Sequence, residues 1–159
     1  MTANEKTATV IPLHKQEATQ SSQRKWGKDV MKLGFSILPS LIFRAQQRLG
    51  LNPTQLVVLL QIADYWWDQN RKPYPSLETL SLRIGLKPRQ IRRYLADLEK
   101  AGFLKRIERR AAHRGKLSNE YDLSGLVAKL KKLQPEFRDA DEAKRQVSRR
   151  GGLPNGGKR

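Results

Sequence analysis

The chain has 159 residues, with 32 Lys+Arg against 15 Asp+Glu, a formal charge of +17 and a pI near 10.6. So large an excess of cations calls for a polyanionic partner, with nucleic acid ahead of an anionic membrane surface. The lack of cysteine excludes disulfides and thiolate zinc sites, and the longest apolar run, Leu56 to Leu60, is far short of the ~20 residues a bilayer span needs.

In chain order, residues 1–33 are polar, without the apolar core of a signal peptide, and are expected to form a flexible basic arm. The expected compartment is the cytoplasm, on the nucleoid when DNA is bound. A folded domain is expected over 34–133. Its first helix follows Pro39, with Leu41, Ile42, Ala45 and Leu49 at helical spacing, and ends at Gly50. Asn52-Pro53 starts a second helix, with Asn as N-cap and Pro in the first turn, running to about Asn70. The Tyr65-Trp66-Trp67 cluster at its end has two readings, core packing and a platform on which bases stack. Core packing is preferred, because two of the three rings fall on the face shared with Leu59 and Ala63.

The segment RKPYP, 71–75, breaks that helix. Ser76 caps the next, with Leu77, Leu80 and Ile84 inward, and Gly85 ends it. Pro88 opens the following helix, whose inward stripe is Ile91, Tyr94, Leu95 and Leu98, until Ala101-Gly102 stops it. Residues 103–108 and 118–123 alternate as strands do, around a polar loop from Arg109 to Lys116 that contains Gly115. Ser124 is the expected cap of a last helix, 125–133. Residues 134–159 are read as a flexible basic tail, with a helical segment allowed near 139–148.

Charge is concentrated in one place. Residues 83–116 hold 12 cations and 3 anions, while 51–82 hold 2 and 3, and 117–128 hold none and 2. The dense block is the second motif helix together with the strand and loop after it. With Ile91, Leu95 and Leu98 buried, Arg89, Gln90, Arg92 and Arg93 face outward in its first two turns, the part of such a helix nearest base edges. Arginine can bond guanine O6 and N7 together, and glutamine adenine N6 and N7. These four are the expected base readers. Arg83, Lys87, Lys105 and Arg106 are assigned to phosphates. Arg109, Arg110, Arg114 and Lys116 form the tip, where an arginine can enter an A·T-rich minor groove.

These residues resemble the winged helix-turn-helix domains of bacterial, plasmid and phage regulators and replication proteins. The resemblance rests on Pro75-Ser76, Leu80, Ile84-Gly85-Leu86, Arg89 to Arg93, LADLEKAGFLKRI (95–107) and SNEYDL (118–123), and spans roughly 35–130. It implies a mainly α fold with a small β-wing. Many such domains carry Ser or Thr where Lys87 stands. That residue caps the recognition helix and touches a phosphate, so here Pro88 supplies the start and Lys87 is left the phosphate alone.

The sequence holds no catalytic constellation. His14 and His113 lack partners at metal-site or nucleophile spacing, and the GLPNGGKR end imitates a phosphate-binding loop without its strand, its helix or its Ser/Thr. No cofactor, metal, membrane or small-molecule ligand is expected. The expected function is sequence-preferring binding of double-stranded DNA in transcriptional regulation. The alternatives are a plasmid or phage replication or maintenance factor at an origin or repeated site, and an architectural or RNA-binding protein acting through charge alone. A homodimer could form through the N-terminal helix or the 125–133 helix, either of which could equally cover its own domain.

Overall fold

The structure is a computed structural model and describes residues 13–112 and 115–152. One buried hydrophobic cluster runs from Ile42 to Leu130. Two compact units are distinguished, Met1–Ser36 and Ile37–Arg159.

The first unit carries α1 (Leu13–Trp26) and α2 (Lys28–Lys32). The arm expected to lack regular structure is thus helical over much of its described length. The reason is local: from Leu13 to Trp26 the chain has neither Pro nor Gly and is rich in helix formers. Arg24 and Lys25 lie in the last turn, where cations complement the exposed carbonyls. Gly27, at φ 91°, separates the two helices.

In the second unit, α3 (Ser40–Arg44) is shorter than expected and continues to Gly50 as hydrogen-bonded turns. α4 (Pro53–Ala63) opens with a reciprocal cap: Asn52 Oδ1 accepts from Gln55 N at 2.8 Å, and Gln55 Oε1 accepts from Asn52 N at 3.0 Å. It stops at Ala63 rather than near Asn70. Tyr65 N and Trp66 N then donate to Ile62 and Ala63 carbonyls in tighter turns, so the 100° spacing that placed Trp66 and Trp67 beside Leu59 no longer holds. Both indoles are exposed, at 37% and 63%, and the core reading of the cluster is corrected.

α5 (Leu77–Ile84) is capped by Ser76 Oγ, which accepts from Thr79 N at 3.0 Å, and ends on Gly85 at φ 74°. α6 (Pro88–Lys100) comes next, with Ile91, Leu95 and Leu98 buried. β1 (Lys105–Ile107) pairs antiparallel with β4 (Glu120–Asp122), Arg106 opposite Tyr121. The expected strands are trimmed because Phe103 and Leu104 turn into the core instead of pairing. Further out, β2 (Arg110–Ala111) pairs with β3 (Gly115–Lys116), and Leu117 N donates to Arg109 O at 2.9 Å between the two ladders. Tyr121 N donates to Pro73 O at 2.9 Å, tying the chain before α5 to the base of this wing.

α7 (Ser124–Arg149) starts against the end of α6. Leu126 N donates to Phe103 O at 2.9 Å, and a Cβ on Gly125 would lie 2.2 Å from Gly102 O, so only glycine fits there. Ser124 is the first helical residue rather than the cap; Asp122 Oδ1 accepts its N–H at 2.9 Å. Hydrogen bonding from the Ser124 side chain first and its backbone N–H second, with Lys72 nearby, holds the Asp122 carboxyl below the usual carboxylate range.

The helix expected to end near Leu133 continues unbroken to Arg149, so residues 134–149, expected within a flexible tail, are helical. Long-range ion pairs fasten this extension. Arg44 bonds both Asp141 oxygens at 2.9 and 2.6 Å, Arg48 meets Glu136 at 2.8 Å, and the Arg44 guanidinium lies 5.3 Å from the Phe137 ring. The Arg44 bonds hold Asp141 below the usual carboxylate range.

Candidate nucleic-acid interface

The buried stripe of α6 fixes what its opposite face must show. Arg89, Arg92, Arg93 and Ala96 recur at i, i+3, i+4 and i+7 and are all exposed. Arg89 and Arg92 have no ion pair among the described residues, and Arg93 lies 5.5 Å from the ring of its neighbour Tyr94. The helix has no acid in its first turn. Asp97 and Glu99 come later, and Glu99 is engaged elsewhere. Cations gathered unneutralised at a positive helix end repel one another and the macrodipole, and an approaching polyanion relieves both penalties.

Gln90 has a second task. Its Oε1 accepts the Lys87 N–H at 3.0 Å, closing the start of α6 from the side that a lysine, lacking an acceptor, cannot close. The helix start therefore does not need the Ser or Thr missing at 87. One lone pair of the Gln90 carboxamide is thereby engaged, while the residue itself stays exposed.

The other cations fall into two groups. Lys87 and Lys105 are exposed, with no ion pair among the described residues. Arg83, Arg106, Arg109 and Arg110 are held by acids. Arg83 meets Asp64 at 2.9 Å and lies 4.7 Å from the Tyr65 ring. Arg106 donates its backbone N–H at 2.9 Å, its Nε at 2.8 Å and an Nη to the Glu99 carboxylate. Arg109 meets Glu120 at 3.5 Å, and Arg110 meets Glu108 at 3.1 Å. Arg114 lies outside the described residues, and of Lys116 only the backbone is described, opposite Arg110 in the wing tip.

The Glu99–Arg106 clamp escapes a sequence reading because the two residues are seven apart across a turn. It joins the end of α6 to the first wing strand, so the recognition helix and the wing are held in one orientation. The backbone N–H of Arg106 is the first cause of a Glu99 carboxyl held below the usual range. Between α6, the start of α5 and the wing lies an open concavity of about 600 Å³, lined by Ser76, Glu78, Arg92, Arg106, Ser118 and Asn119 among others. Asn119 Oδ1 is buried in its wall with no hydrogen-bond partner among the described residues. No helix of the described residues is long and apolar enough to cross a membrane.

A tri-helical core, an exposed cationic helix after a Gly turn and a β-hairpin beside it make up a winged helix-turn-helix fold. Residues 49–104 match the family described as a helix-turn-helix domain. No curated protein matches the sequence. Solved structures similar to it include the following. The N-terminal domain of DnaD protein from Geobacillus kaustophilus HTA426 is 19% identical, with 87% of this chain and 97% of that chain covered and a TM-score of 0.46. Transcriptional regulator PA3341 is 21% identical, with 86% and 93% covered and a TM-score of 0.39. Disulfide-formed AbfR is 17% identical, with 84% and 96% covered and a TM-score of 0.39.

Proposed function

We propose that this protein binds duplex DNA with sequence preference and regulates transcription by occupying its site. The carrying observation is the exposed Arg89-Arg92-Arg93 ridge, without an acid partner among the described residues, on a helix whose other face is committed to the core. In this reading Arg89, Arg92 and Arg93 contact base edges, with the Gln90 NH₂ beside them. Lys87 and Lys105 hold flanking phosphates. Arg83 and Arg106 reach phosphates only in competition with Asp64 and Glu99, so they align the module more than they bind. Arg109, Arg110, Arg114 and Lys116 follow the backbone or the minor groove through the wing.

Selection of bound duplexes from a random pool by the full chain tests this. A conserved motif of one or two half-sites is expected, and a palindrome would also report a dimer. In Arg89→Ala and Arg93→Ala the preference should relax at one or two base pairs. A pool that yields no motif at any salt concentration would leave a charge-only binder and refute sequence preference.

A further inference from the structure

The loop after α4 carries aromatic residues that neither the core nor the recognition helix uses. Tyr65, Trp67 and Tyr74 line an open cleft of about 590 Å³ with Arg71, Lys72 and Asp68. Trp67 is 63% and Tyr74 39% exposed. An aromatic ring normally contributes 150–250 Å² of burial, so holding these at the surface forfeits stabilisation and marks a binding surface. The rings are accompanied by cations. Arg71 lies 5.2 Å from the Tyr74 ring and donates to its hydroxyl at 2.7 Å, and the Arg109 guanidinium lies 4.6 Å from the same ring. Among the lining residues the one acid, Asp68, already accepts the Asn70 N–H at 2.9 Å. The acid partners of Lys72 and Arg109 are distant, at 3.7 and 3.5 Å, and partly exposed pairs of that length are readily exchanged for phosphate.

We propose that this cleft stacks an unpaired nucleobase of a single DNA strand on Trp67, while Arg71, Lys72 and Arg109 hold the adjoining phosphates. Three observations select this ligand. The volume falls in the range of small-ligand sites, enough for a nucleobase. Aromatic faces beside cations are how sequence-tolerant single-strand sites are built. Ser76 and Ser118 line both this cleft and the concavity beside α6, so a strand leaving the recognition helix reaches the cleft without crossing the core. The inference rests on the DNA-binding reading and extends it: a strand can offer a base here only where the duplex is opened, at the edge of a bound site.

The test is anisotropy of a labelled short oligothymidylate and of an abasic strand of the same length, with the full chain. Trp67→Ala should weaken oligothymidylate by about ten-fold, within the range for one stacked base, and Trp67→Phe should restore most of it. Trp66→Ala, whose ring does not line the cleft, should change nothing. Binding of the abasic strand should be the same in all of them, whereas Arg71→Ala should weaken both strands. Trp67 is exposed, so folding survives its removal, and circular dichroism verifies this. An equal loss on the abasic strand, no loss in Trp67→Ala, an equal loss on duplex, or thymidine monophosphate binding as tightly as the oligomer would each overturn the proposal. Duplex selection on the same preparations separates the two readings. A protein that selects no duplex motif yet passes the strand test loses only the sequence-preferring reading.

Discussion

Arg89→Ala should move DNA affinity and protein stability in opposite directions. Arg89 stands second in α6 and faces Arg92 at i+3 and Arg93 at i+4, with no acid in that turn. Each like-charge neighbour costs about 0.2–0.5 kcal/mol on an exposed helix. A cation at the positive helix end adds roughly 0.3 kcal/mol or more. After solvent screening, removing the guanidinium should stabilise the free protein by about 0.5–1 kcal/mol at low salt. For a domain of this size that is a rise in Tm of ~2–5 °C. Duplex affinity should fall about 5- to 150-fold, the cost of one arginine–base contact of ~1–3 kcal/mol. Scanning calorimetry at two salt concentrations, with titration of the selected duplex, reads both. The Tm gain should shrink as salt rises. A lower Tm in Arg89→Ala, or a gain indifferent to salt, would refute the view that binding chemistry is held against stability in this turn.

The packing sets three further outcomes. In Glu99→Gln the clamp on Arg106 loses its charge, costing about 1 kcal/mol for a charge-assisted pair that is one-third exposed. The folded carboxyl titrates below its unfolded value of about 4.3, so this contribution is complete above about pH 5 and fades as pH falls through the folded value; urea midpoints of the two proteins should converge in acid. Gly125→Ala forces a methyl group to within 2.2 Å of Gly102 O, and the backbone shift should cost about 1–3 kcal/mol in chemical denaturation; an unchanged midpoint would mean that the start of α7 is not seated there. Glu136→Ala with Asp141→Ala unfastens the end of α7 from Arg44 and Arg48, and trypsin should then cut after Lys144 and Arg145 first, with cutting in the core unchanged.

The sequence was legible where local chemistry decides. Asn52-Pro53, Ser76, Gly85 and Pro88 each mark a helix boundary that their own side chains or φ values enforce. The outward arginines could be placed from the buried stripe. Residues whose partners are remote were illegible. Residues 134–149 look like a tail because they are charged and run into a Gly-rich end, while the arginines that fasten the segment lie up to 97 residues earlier. The Tyr65–Trp67 cluster was misplaced because periodicity carries no signal that α4 stops at Ala63. Among the expected phosphate contacts, the sequence shows the cations but not that Glu99 and Asp64 already occupy two of them.

Pro135 divides α7 into parts with different sensitivities. It has no N–H to give the Lys131 carbonyl, so one helical hydrogen bond is missing there. Before it, Leu126 and Leu130 are held by burial, which ionic strength barely touches. Beyond it, the fastening to Arg44 and Arg48 is made of exposed ion pairs that salt weakens. One continuous helix therefore behaves as an anchored base and a salt-sensitive strap. Any polyanion that draws Arg44 away leaves Asp141 facing a neighbouring carboxylate, Glu142, with Lys144 and Arg145 as its remaining counter-charges, so the strap registers the ionic surroundings of the domain while the base does not.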